Sequence, residues 1–228
     1  MSKNTETETV VAAPSASIVQ APSFNAGFNA EDFHIPRLNC IHKMSEIEGN
    51  PGDLVMDRRV AIVPAGKKIP VNVVSIHKSW TEKVPYDGDI QPRIAYSLEQ
   101  LEELRRETDR EIVPRADITL LLPHIAEING LDEEEASELF PFLLNEVPYQ
   151  LVRLTVQSFA YDHTFKIINS FHVGNPDVKL HEQVWNLSAM LIERGKYSWY
   201  VPVLGRSINK SAEPVLAFIN RLVTGGAA

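Results

Sequence analysis

Apolar positions along the chain fall into short alternating runs separated by turn signals. Between Phe33 and Lys83 the segments HIPRLNCIHKMS, GNPGD, RRVAIVPAGKK and IPVNVVSIHKSWTEK follow one another, and this succession of β-branched runs and turns predicts a strand meander. Asn50-Pro51-Gly52-Asp53 is a strong turn, because Pro fixes φ and Gly takes the positive φ that other residues resist. In the last run, period-two alternation puts Val71, Val73, Ser75, His77 and Ser79 on one face and Asn72, Val74, Ile76, Lys78 and Trp80 on the other. Neither face is wholly polar, which predicts a central strand.

Residues 85–93 read as a loop, after which Ser97 with Gln100 forms a capping-box start for LEQLEELRRET, whose apolar stripe is Leu98, Leu101 and Leu104. ADITLLLPHIAEI is a buried strand that Pro123 ends or confines to an edge. The acidic LDEEEASELF is a surface helix or loop, and VPYQLVRLTVQSF resumes strand character. Asp162 is placed to cap a helix carrying Phe165, Ile168 and Phe171, which Asn175-Pro176-Asp177 breaks. VWNLSAMLI and YSWYVPVLG, joined through Glu193-Arg194-Gly195-Lys196, predict a hairpin with Trp185, Leu187, Ala189 and Leu191 on one face. Ser211 can cap a last helix, SAEPVLAFINRLV. No solenoid repeat or heptad run interrupts this pattern. The expected fold is α+β, mostly β: an OB-like or barrel-like antiparallel sheet with about three helices, in a single domain over 31–228.

Residues 1–30 are rich in Ser, Thr, Ala, Asn and Pro. They carry too little apolar surface to offset the entropy of ordering, so they are expected to form a disordered tail with Phe24 and Phe28 as its aromatic side chains. The N-terminus lacks the basic start and apolar core of a secretory signal, and no stretch approaches the roughly 18 apolar residues of a membrane helix. A cytoplasmic location without membrane contact is expected. Cys40 is the lone cysteine, so neither an intramolecular disulfide nor a cysteine-based zinc site can form. A net charge of −8 argues against binding duplex DNA over the whole surface, while leaving room for a local basic groove.

Motifs for catalysis are missing. Neither ERGKYS nor LGRSINKS has the glycines of a phosphate-binding loop, and no Gly-x-Ser-x-Gly elbow occurs. Cys40 lies in a predicted strand with no basic setting to activate its thiol. The seven histidines, at 34, 42, 77, 124, 163, 172 and 181, form no HExxH or similar pair, and Asp132, Glu133, Glu134, Glu135 and Glu138 lack a calcium-loop pattern. The expectation is a non-catalytic protein without metal or cofactor.

What stands out is where cations and rings fall. Arg58, Arg59, Lys67, Lys68, Lys78 and Lys83 crowd the meander beside His77 and Trp80, opposed between 56 and 83 by only Asp57 and Glu82. Arg194, Lys196, Tyr197, Trp199, Tyr200, Arg206 and Lys210 form a second set on and after the hairpin. Single-stranded nucleic acid needs this combination, since cations track phosphates and rings stack on bases. The competing explanation is structural: lysines protect strand edges, and Trp and Tyr fill cores.

Phe33-His34-Ile35-Pro36-Arg37-Leu38, then Pro51-Gly52-Asp53, then a strand ending in His77-Lys78-Ser79-Trp80-Thr81-Glu82 resembles small bacteriophage-encoded proteins that open with an "IPRL" segment and a "GD" turn. The Trp185-Asn186-Leu187 and Tyr197 to Pro202 hairpin fits the same layout, so the likeness covers about 33–83 and 149–205. The resemblance implies a role in phage DNA metabolism, in replication or recombination, including single-stranded DNA binding through an OB-like barrel in the host cytoplasm. The chain departs from the acidic tail common among single-stranded DNA-binding proteins, ending in a predicted helix and Thr224-Gly225-Gly226-Ala227-Ala228.

The sequence therefore predicts a non-catalytic phage accessory protein that binds single-stranded DNA through Arg58, Arg59, Lys67, Lys68, Lys78, Trp80, Lys83, Lys196, Tyr197, Trp199 and Arg206. The alternative is a protein-interaction or structural module, such as a virion component or an inhibitor of a host factor, whose partner is a host or phage protein. Either reading admits a homo-oligomer.

Overall fold

A computed structural model describes residues 34–43, 45–85 and 90–224 of the protein. The expected tail at 1–30, the chain end at 225–228 and part of the 85–93 loop lie outside the described residues. The fold is mostly β, with a sheet curled into a half-barrel. Its strands are β1 (Arg37–Cys40), β2 (Leu54–Met56), β3 (Val60–Val63), β4 (Lys68–Glu82), β5 (Ile94–Ala95), β6 (Ile112–Pro123), β7 (Phe142–Leu144), β8 (Val147–Gln157), β9 (Gln183–Arg194) and β10 (Tyr197–Lys210). They run in the order β10-β9-β4-β6-β8-β1-β2-β3, with β5 added to β4 and β7 to β8. The sheet is not purely antiparallel as expected, because β1 pairs with β8 in parallel, Arg37 opposite Arg153 and Leu38 opposite Leu154. A parallel neighbour must come from a distant part of the chain.

β4 is central, flanked by β9 and β6. Its alternation is broken once. Val73 sits opposite Leu120 and Ser75 opposite Thr119, which leaves Val74 as an extra residue in a β-bulge. Val71, Val73 and then Ile76 consequently pack on the main core, while Val74 packs on a smaller cluster with Leu121, Leu151, Val215 and Ile219. The faces expected from strict alternation therefore exchange beyond Val74, and Lys78 and Trp80 belong on the side of Val71 and Val73.

On β8, Val152, Leu154 and Val156 enter the main core, which sends Arg153, Thr155 and Gln157 to the opposite side. β9 and β10 pair from Gln183 opposite Lys210 to Arg194 opposite Tyr197, so the turn is only Gly195-Lys196. Gly195 has φ +61°, as a two-residue hairpin turn with glycine first requires. Trp185 and Leu187 are fully buried, but Leu191 is 42% exposed because the hairpin there has left the core.

Helical segments exceed the three expected: among the described residues they are α1 (Leu98–Glu107), α2 (Ala126–Asn129), α3 (Glu133–Leu139), α4 (Ser158–His163), α5 (Phe165–Gly174) and α6 (Glu213–Val223), with a 3-10 turn at Leu180–Glu182. Ser97 Oγ accepts the Gln100 N–H at 3.1 Å, but the Gln100 side chain takes the Tyr96 N–H, so the box does not close on Ser97. Leu101 and Leu104 are buried and Leu98 is exposed. Asp162 does not cap a helix; it lies inside α4, and Thr164 separates α4 from α5. Ser211 does not cap α6 either, since its hydroxyl donates to the His181 carbonyl at 2.6 Å and accepts from the Asn72 side chain. No helix among the described residues is long and apolar enough to cross a membrane.

Candidate nucleic-acid interface

The curled sheet scatters the two basic and aromatic sets. Arg58 and Arg59 stand in the β2–β3 turn, Lys67 and Lys68 at the start of β4, and Lys78 and Trp80 toward its end. Lys78 Nζ lies 5.0 Å over the Trp80 ring, and that half-buried ring packs against Ala95, Leu101 and Leu104 beneath α1. Lys83 is ion-paired to Glu111 at 2.8 Å. The second set follows the hairpin. Lys196 sits at the tip, 5.4 Å over Tyr197, which is 65% exposed. Arg206 lies 4.8 Å over the Phe171 ring beside buried Trp185, well back from the tip. Because β9 meets β4 only over Lys68–Asn72, Trp199 opposite Ile192 lies beyond the Lys68 end of β4. Trp80 packs with Ala95, Leu101 and Leu104 and Trp199 against Phe159, so the two tryptophans belong to different clusters.

Trp199 instead faces a different set of cations. A cavity of about 650 Å³ opens between β1, the end of β8, the start of α4 and residues 199–202 of β10. Its lining includes the arginines Arg37, Arg115 and Arg153 and the aromatic residues Phe159, Trp199 and Tyr200. None of its described lining residues is Asp or Glu. Trp199 and Phe159 meet edge to face at 5.2 Å, which holds the indole on the rim.

The three arginines are held differently. Arg115 is anchored, its Nη2 lying 3.1 Å from both carboxylate oxygens of Asp117, while Asp117 Oδ1 accepts the Thr155 hydroxyl at 2.5 Å. Its Nε is buried and has no hydrogen-bond partner. Arg37 and Arg153 share a face across the parallel β1–β8 pair, and among the described residues neither guanidinium makes an ion pair. Burial holds His42 below the ordinary histidine range, so it is neutral at pH 7 and the arginines supply the cavity's permanent charge. Burial, reinforced by the nearby charge of Asp53, pushes the Cys40 thiol up to about 12. This lining thiol is no nucleophile. No group of three or more His, Cys, Asp or Glu side chains among the described residues is arranged to hold a metal.

Of the two sequence-predicted sets, Trp199 and Tyr200 line this cavity, and Trp199 is the one named among the expected DNA-binding residues. Arg37, Arg115 and Arg153 are isolated in the sequence and form no charge run. A signal for Arg153 was its place on the outward face of an alternating strand, but its neighbour Arg37 is defined only by the long-range parallel pairing. No known protein family, curated protein or solved structure matches the chain.

Proposed function

We propose that the protein is a non-catalytic phage accessory protein that binds single-stranded DNA, and that the cavity between β1, β8, α4 and β10 is where it does so. The observation that carries this reading is the composition of the lining: three arginines, three aromatic residues and, among the described residues, no Asp or Glu. Cations of this kind attract phosphates independently of sequence, and an indole at the rim offers a stacking surface to any base. The acidic balance of the whole chain, −8, supports local engagement of a strand over general adhesion to duplex. A strongly curled sheet is also the kind of platform on which OB-like domains bind oligonucleotides, and the OB-like character of the fold belongs to this proposal.

Equilibrium binding of labelled oligo-dT and of a duplex of the same length tests the reading. Preferential binding of the single strand, weakened in Trp199→Ala and Arg153→Gln, is the expected result. Equal affinity for both forms, or binding that ignores both substitutions, would refute it.

A further inference from the structure

Arg37 and Arg153 occupy paired positions on adjacent parallel strands. Neighbouring strands are ~4.8 Å apart, so two like charges stand side by side, an arrangement that destabilises a sheet unless an anion lies between them. No described lining residue is Asp or Glu, and the Asp57 carboxylate beside Arg37 accepts the Arg37 backbone N–H at 2.8 Å rather than pairing with either guanidinium. Asp117 is occupied by Arg115 and Thr155. Arg115 is therefore already paired, and Arg37 and Arg153 are the two lining arginines whose guanidinium groups make no ion pair among the described residues.

From this we infer that the pair clamps a phosphate monoester, so that the cavity takes the phosphorylated end of a strand in preference to an internal segment. This rests on the strand-binding reading above and narrows it. A terminal phosphate carries close to two negative charges at neutral pH and an internal phosphodiester one, so the monoester is the better charge match for two guanidiniums. Planar guanidinium forks also suit the paired oxygens of phosphate better than an ammonium does. A volume of about 650 Å³ is that of a site enclosing one small ligand, and Trp199 at its rim is placed to stack on the base attached to that phosphate.

The test uses the full chain and three oligo-dT probes: 5′-phosphorylated, 3′-phosphorylated, and hydroxyl at both ends. One of the phosphorylated probes is expected to bind about tenfold more tightly than the hydroxyl-ended one, the gain of one charge-assisted contact. In Arg37→Gln and Arg153→Gln that ratio should fall to about one; Arg37→Lys and Arg153→Lys, which keep the charge and lose the fork, serve if the glutamine variants do not fold. Equal wild-type affinity for all three probes overturns the clamp and leaves strand binding standing. If no probe binds, the strand-binding reading fails, and inorganic phosphate then decides the clamp alone. A rise in the wild-type melting temperature over chloride at the same ionic strength, lost in the variants, supports an anion site there, and no rise overturns it.

Discussion

The Glu82 carboxylate, 1% exposed, accepts a hydrogen bond from Arg93 Nη2 at 3.0 Å and another from the Arg93 backbone N–H at 3.1 Å. Arg110 approaches the same carboxylate at 3.6 Å. The side-chain hydrogen bond from Arg93, helped by Thr108 and the Arg93 N–H, holds Glu82 down at about 2. An acid depressed on folding from about 4.3 adds stability above that value and loses it as pH falls through 2. Urea unfolding of the wild type should show stability dropping between about pH 4.3 and 2, with a shallower decline in Glu82→Gln. Parallel profiles for the two proteins would contradict this assignment.

The two tryptophans named by the sequence should separate by function. Trp199→Ala is expected to lose roughly 1–3 kcal/mol of oligo-dT binding while changing the unfolding midpoint little. Trp80→Ala removes a wedge beneath α1 and should cost about 2–4 kcal/mol of stability with oligo affinity intact. Calorimetric titration paired with denaturant unfolding reads both quantities.

Gly52 closes the turn ahead of β2 with φ +98°, and a Cβ there would meet the Tyr200 ring at 2.7 Å. Gly52→Ala combines backbone strain with a push on a ring that lines the cavity. Its unfolding free energy should fall by about 1–3 kcal/mol, and oligo affinity should fall with it. Gly66, with φ +79° and open space around its Cβ position, is the control that separates strain from contact.

Cys40 should be inert in the folded protein. With its thiol pushed up to about 12, the thiolate at pH 8 is a fraction on the order of one in 10,000. Reaction with a disulfide reagent should be slow in buffer and rapid in urea; rapid modification of the native protein would contradict the burial assigned to this side chain.

Local patterning made much of the sheet legible. β4, β6, β8 and the β9–β10 hairpin follow from alternation and turn residues, because each signal lies within one run of chain. The Val74 bulge has no such signature: an extra residue is set by the partner strand, and it exchanged the predicted faces of Lys78 and Trp80. Asp162 and Ser211 look like caps in sequence, yet Asp162 is drawn into α4 beside Lys166 and Ser211 into a buried bond with Asn72. The cavity was the least legible feature, since its cations come from single arginines at 37, 115 and 153, assembled only by long-range pairing.

The central claim, that the arginine and aromatic cavity binds single strands, is tested most directly by the salt dependence of tryptophan quenching on titration with oligo-dT. Arg37 and Arg153 engaging phosphates predict a slope of log affinity against log salt of about −1.4, at ~0.7 per phosphate on a single strand, with the quenching lost in Trp199→Ala. Quenching that is absent, or an affinity that does not change with salt, would contradict it.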